Sequence, residues 1–245
     1  SHSDRLGVYQ PMTDPTDTRD TGPRPGTPLW SYFVGVIGVG FLALVLAVSR
    51  LSVGELAELV RSPLFWILAG LIILGELRPV AVSSSTLGGG TPTSVMFSFA
   101  VLLHYGLAVA VLLQTAAMVV AALVSRRVWH RLAFAVGHVT LAATAAAAGL
   151  RAWGVDASVT APWVPHDMDV LPIALAALTY FVVRTTLMCC AVALHERRSL
   201  LRILKTTVGH QSMVYTALLG LSPLVAVVMA HSPELVPLFV APLAV

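Results

Sequence analysis

Charge is scarce in this sequence. Only 11% of its 245 residues are Asp, Glu, Lys or Arg, while 57% are hydrophobic, and the mean hydropathy is +0.84. Soluble domains carry roughly a quarter charged residues. Too little polar side chain is present here to cover a water-facing surface, which excludes an ordinary soluble fold. Strand-like alternation is missing too. The apolar runs are continuous, which excludes a transmembrane barrel. Cysteine is almost absent. The two that exist, Cys189 and Cys190, are adjacent within an apolar run. Neighbouring residues point to different sides of a helix, so the pair reads as small apolar filler and not as a disulfide or a metal pair. The formal net charge is only +3, and no basic stripe is interleaved with aromatics, so nucleic acid is not an expected partner.

What is present are long apolar stretches. "LWSYFVGVIGVGFLALVLAVS" (29–49) matches the ~20 residues that a membrane-spanning helix needs. The expected class is all-α: a polytopic transmembrane helical bundle whose first partner is the lipid bilayer. We expect about eight membrane segments, at 29–50, 63–78, 94–104, 107–125, 129–150, 170–194, 207–230 and from Pro233 onward. The third is short and broken at His104-Tyr105-Gly106. "LSVGELAELVRS" has apolar residues at helical spacing and reads as an interfacial helix. Residues 1–28 are rich in Pro, Thr and Asp without apolar periodicity, so they read as a flexible cytosolic leader rather than a signal peptide. Residues 29–245 form the membrane domain.

Basic residues orient such a bundle. "SRRVWHR" (125–131) and "HERRSLLRILK" (195–205) should face the cytoplasm, while "GVDASVTAPWVPHDMD" (154–169) has no Lys or Arg and should face out. Both termini are then cytoplasmic, and Arg50 and Arg61 fall on the less expected side. The last stretch, "PELVPLFVAPLAV", is shorter than a span. A natural chain that continues past Val245 into the cytoplasm is the expectation.

"FWILAGLIILGELRPV", a polar connection, and "TSVMFSFAVLLHYGLAVAVLLQTAAMVVAALVSRRVWHRLAFAVGHVTLAAT" then form one module. Together with "LTYFVVRTTLMCCAVALHERRSLLRIL", it resembles the multi-spanning N-terminal sensory region of bacterial, often actinobacterial, cyclic-di-GMP signalling proteins. There the membrane region precedes GGDEF, GGDEF–EAL or HD-GYP domains. Arg184 stands where the pattern has asparagine, and His138 where it has a small polar pair. The resemblance implies a bacterial plasma-membrane sensor, a homodimer, a small-molecule or lipid ligand, and an output domain after residue 245 that makes or degrades cyclic-di-GMP. No GG[DE]EF, EAL or HD…GYP motif lies in these residues, so no catalytic residue is assigned and any enzyme activity would belong to that output domain. No cofactor and no metal ligand set is indicated.

Polar side chains inside the spans are the candidate ligand or switch residues. Glu76 and Arg78 point about 200° apart on a helix, so they do not pair with each other. Arg78 either snorkels to lipid phosphates or joins a polar site with Glu76. Arg184 lies far from either end of its segment, where an arginine costs at least ~2.5 kcal/mol to insert. Glu76 is the only carboxylate in an assigned span, so a Glu76–Arg184 contact, direct or through water, is expected. An anionic ligand group on Arg184 is the alternative. His104, at the break, reads as interfacial. Gln114 should hydrogen-bond a neighbouring helix, a contact worth ~0.6–2 kcal/mol. His138 and Thr140 lie on a segment whose Gly137, Thr140, Thr144 and Ala148 form a small-residue face. His130 and His138 lack the i, i+4 spacing of a zinc pair. A small transporter is the second function expected, because a short helix broken at glycine resembles a discontinuous transporter helix. An intramembrane enzyme is disfavoured, since no nucleophile–base set appears.

Overall fold

The computed structural model of the protein describes residues 26–77, 93–126, 128–160, 162, 170–232, 234–236 and 238. Among them the chain is all-helical. The helices are α1 (Pro28–Val48), α2 (Val53–Arg61), α3 (Pro63–Leu77), α4 (Ser94–Tyr105), α5 (Leu107–Val124), α6 (Trp129–Ala152), α7 (Val170–Glu196) and α8 (Leu200–His231).

Local chemistry sets the helix starts. The Thr27 hydroxyl accepts from the Trp30 amide at 3.2 Å, and Pro28 follows at the first helical position, where its missing N–H costs nothing. Ser52 and Glu55 form a reciprocal capping box at the start of α2. Ser62 ends α2, and α3 leaves at 82° to it. The indole N–H of Trp66 donates to the Val60 carbonyl at 2.8 Å, which ties the two helices across the bend.

Five helices, α1, α5, α6, α7 and the Ser212–His231 part of α8, are long and apolar enough to cross a membrane; a sixth span counts if α2 and α3 form one bent unit. That is the architecture of a multi-pass membrane protein. The expected count of eight is met only in part, and the physical reason is length. α3 has 15 residues and α4 has 12, or about 22 and 18 Å at 1.5 Å per residue, short of a ~30 Å hydrocarbon core. The eighth segment, from Pro233, lies mostly outside the described residues. α8 also starts earlier than expected. Arg202 and Lys205, read as a basic turn, lie in its first turns.

A helix too short to cross cannot leave its ends in lipid. The fold answers this by burying α4: every residue from Ser94 to His104 is buried, and only the last, Tyr105, is half-exposed. α4 packs against α3, α5 and α8, while α6, α7 and α1 complete the outer layer. Phe97 and Phe99, each 1% exposed, anchor the core. At Gly106 the chain reverses directly from α4 into α5. Its φ of +84° is a left-handed conformation that L side chains rarely adopt, and a Cβ there would lie 2.2 Å from the Ala157 carbonyl oxygen. α1 is peripheral. It crosses α6 where Gly40 meets Gly137, so closely that a Cβ on Gly40 would fall 2.4 Å from the Gly137 Cα.

That crossing yields a test. Gly40→Ala should lower stability by about 1–3 kcal/mol through forced separation of the helices. Gly38→Ala has nothing within 4 Å of its new Cβ and should leave stability unchanged or slightly higher, since alanine favours the helix. Unfolding midpoints of both variants in detergent check this.

Candidate functional site

The site begins where α3 ends. Gly75 lets the start of α4 press onto the last turn of α3. A Cβ at Gly75 would lie 2.5 Å from the Ser94 amide nitrogen. The next residue, Glu76, is buried, and its Oε1 accepts two hydrogen bonds. One comes from the Ser94 hydroxyl at 2.6 Å and one from the Gln114 side-chain amide at 2.6 Å. The Ser98 hydroxyl donates to the Gln114 carbonyl oxygen. Ser98 and Gln114 are equidistant from Gly106, so the α4–α5 reversal brings them face to face. The carboxylate also lies beside the first turn of α4, whose N-cap Thr93 makes no side-chain cap bond. The positive end of the helix dipole favours an anion there.

Arg184 occupies a second polar centre. It is buried near the middle of α7. Its Nη1 donates to the Tyr180 hydroxyl at 3.0 Å, one helical turn away. Its guanidinium lies 5.9 Å from the centroid of the Tyr180 ring and 5.6 Å from that of Tyr215 on α8, within the range of cation–π attraction. Tyr180 meets Phe99 of α4 edge-on at 5.9 Å, and Phe181 meets Tyr215 at 5.2 Å. The arginine is therefore held in an aromatic clamp joining α4, α7 and α8.

The expected direct Glu76–Arg184 contact does not form. Among the described residues no hydrogen bond or ion pair joins them. α3 packs mainly on α4 and α5, so α4 and its serines take the carboxylate before α7 can reach it. The two charges still lie within electrostatic range of each other. A cavity of about 20 Å³ lies against two of their partners, Gln114 and Tyr180, and its lining also includes Ser98 and Thr140. Most of its wall is apolar, from Phe99, Leu102, Val111 and Met118 among others.

The other expected residues fall in different places. Thr140 is buried on the cavity wall. His138 is buried on α6, with its Nδ1 3.0 Å from the Phe134 carbonyl oxygen and its ring stacked on Phe134 at 5.3 Å. It too is within electrostatic range of Arg184. No group of three or more His, Cys, Asp or Glu side chains among the described residues could hold a metal ion. His104, expected at the interface, is buried within the bundle. It lies at the far end of α4 from Glu76, edge-on to Tyr105 at 4.5 Å. Arg78 lies outside the described residues. Ser94, Ser98, Tyr180 and Tyr215 were not anticipated. Tyr180 had a signal, its i, i+4 spacing to Arg184. Tyr215 had none, because only packing brings α8 to α7.

The arrangement defines a class: a helical membrane bundle with a buried carboxylate and a buried guanidinium, each held by neutral partners. No protein-family model, no curated protein and no solved structure matches this chain.

The Glu76 contacts are testable by a double-mutant cycle. Gln114→Leu removes a donor to a buried carboxylate and should cost about 1–3 kcal/mol or more. The same change should cost less in a Glu76→Leu background, with a coupling of about 0.5–3 kcal/mol. Denaturant unfolding of the four chains checks it.

Proposed function

We propose that this chain is the sensory and transmembrane-signalling module of a bacterial protein whose cytoplasmic output domain synthesises or degrades cyclic-di-GMP. One observation carries the reading beyond the sequence resemblance. Glu76 and Arg184 are buried within electrostatic range, yet each is held by neutral groups and not by the other. Holding ionised groups inside a bundle is costly, and such groups mark functional sites. Two arrangements, the separated one and one in which the charges meet, give a ligand something to discriminate. A stimulus acts only through such a difference in affinity.

α8 is the natural carrier. Tyr215 touches the guanidinium, and the helix continues from the span toward Leu200, through Lys205 and Arg202. In this reading that basic end is cytoplasmic, as is the 125–131 turn, following the positive-inside rule. Both termini are cytoplasmic and the bilayer is the bacterial plasma membrane. A homodimer follows from the family's output, which works between paired subunits. A small-molecule transporter is the second reading, favoured by the two short helices α3 and α4.

The coding sequence past Val245 separates the two. A GGDEF, EAL or HD-GYP domain there supports the sensor; a stop codon shortly after, with solute uptake by reconstituted chain, supports the transporter. In the full-length protein in vesicles, Arg184→Gln and Glu76→Gln should each change cyclic-di-GMP turnover by about fivefold or more, the lower range of allosteric coupling. Unchanged turnover in both variants would reduce the bundle to an anchor.

A further inference from the structure

α7 and α8 form a helical hairpin, joined through residues 197–199. Phe181 and Tyr215 bring them together, ring against ring at 5.2 Å. From that contact toward the start of α7 lies a groove of about 440 Å³, lined from Val170 to Phe181 on one helix and from Tyr215 to Pro223 on the other. Small-molecule pockets run to roughly 300–1,000 Å³, so the space suits a ligand of that size. The groove is open, since Ala174, Leu178, Thr216 and Gly220 on its lining are all exposed. Both α7 and the Ser212–His231 part of α8 are long and apolar enough to cross a membrane. An exposed groove on two such helices is reached from the bilayer.

Three polar groups on α8 interrupt the apolar lining. Tyr215 is only 6% exposed, and its ring lies 5.6 Å from the Arg184 guanidinium. Its hydroxyl makes no hydrogen bond among the described residues, yet it is not a sealed-in atom. The Thr216 hydroxyl makes none there either. By contrast, Thr179 and Ser222 on the same hairpin each donate to the carbonyl four residues back. Pro223 lies inside α8 and has no N–H, so the Leu219 carbonyl loses its usual helix donor. Polar groups left unpaired in apolar surroundings are costly. No Lys, Arg, His, Asp or Glu among the described residues lines the groove. It therefore offers two hydroxyls and one carbonyl, without charge, beside apolar walls.

We propose that this groove binds an uncharged lipophilic alcohol or phenol taken from the bilayer. The ligand hydroxyl lies at the Tyr215 end, accepts from Tyr215 or Thr216 and donates to the Leu219 carbonyl. Its apolar body lies toward Ile173 and Pro223. A plain hydrocarbon leaves all three polar groups unpaired. An ether can accept but has no proton for the carbonyl. A carboxylate would enter apolar walls with no cation on the lining to answer it. Gly220 fits this use. Glycine inside a helix costs about 1 kcal/mol against alanine, and a Cβ there would meet nothing within 4 Å, so packing within the chain does not require it. Its missing side chain keeps the groove open. A ligand so placed touches the same tyrosine that faces Arg184, which joins the groove to the polar centre. As the stimulus of the signalling module this ligand rests on that function; its binding does not.

The test uses the whole chain in phosphatidylcholine nanodiscs. A decanol analogue carrying a diazirine and an alkyne is photolysed in place, and labelled residues are read by mass spectrometry. Unlabelled decanol, its methyl ether and decanoate then compete. Label should concentrate on residues 170–181 and 215–223. Decanol should compete better than the ether or decanoate by about two- to tenfold, the worth of one neutral hydrogen bond. Tyr215→Phe combined with Thr216→Val should abolish that preference and leave competition by the ether unchanged, since the ring that faces Arg184 stays. Gly220→Leu fills the groove and should block labelling, with a thermal midpoint no lower than wild type. Equal competition by decanol and its ether, or a wild-type preference in the double variant, overturns the proposal. Stronger competition by decanoate also overturns it and makes the groove an anion site. A groove that takes no label, with Gly220→Leu breaking a dimer instead, overturns it in favour of a second copy of the chain. None of these readouts involves cyclic-di-GMP, so the binding site and the signalling function fail separately.

Discussion

A carboxylate in a lipid-embedded bundle has to be answered by donors, and here the donors come from a helix too short to cross. Glu76 ends α3, and α4 begins against it, offering the Ser94 hydroxyl and the positive end of its dipole. α4 in turn cannot be exposed to lipid, because its ends would carry unpaired backbone groups there. It must be wrapped by α3, α5 and α8. The need to satisfy one acid and the need to enclose one short helix are thus the same constraint. The reversal at Gly106 and the Gln114 bond follow from it, since both place α5 on the open side of the carboxylate.

The guanidinium is handled by different physics. Arg184 has five N–H donors and, among the described residues, one hydrogen bond, to Tyr180. Ring faces on its own helix and on α8 lie within cation–π range of it. Lysine would not serve equally, since a compact ammonium loses the flat stacking surface. Because the clamp spans α4, α7 and α8, any shift of α8 changes the arginine's surroundings. Because the carboxylate is held by α3, α4 and α5, the two charges answer to different sets of helices that share α4.

Much of the helix order is readable from residues alone. The starts of α3, α5 and α6 and the ends of α3, α4 and α5 fall within one residue of what apolar runs, Pro63, Gly106 and the 125–131 basic turn indicate. The α2 capping box is written in "SVGE". α8 is the exception. Its first turns hold Arg202 and Lys205, and charge there reads as a turn even though both residues are good helix formers. Of the candidate site, Glu76, Gln114, Thr140, His138 and Arg184 stood out as polar groups in apolar surroundings. Their partners did not. Serines and tyrosines are unremarkable in a sequence until packing shows what they touch.

The sequence by itself determined that the chain is helical, that its helices are apolar enough for a membrane, and which few ionisable side chains they carry. These follow from composition and periodicity, which are local. Only the tertiary structure decided that the short α4 is buried among α3, α5 and α8, that Glu76 is met by Ser94 and Gln114 and not by Arg184, and that α1 crosses α6 where Gly40 lies against Gly137. Those outcomes depend on which helix lies next to which. Between apolar helices in lipid, that is set by close packing and by the pairing of buried polar groups, neither of which a periodic pattern records.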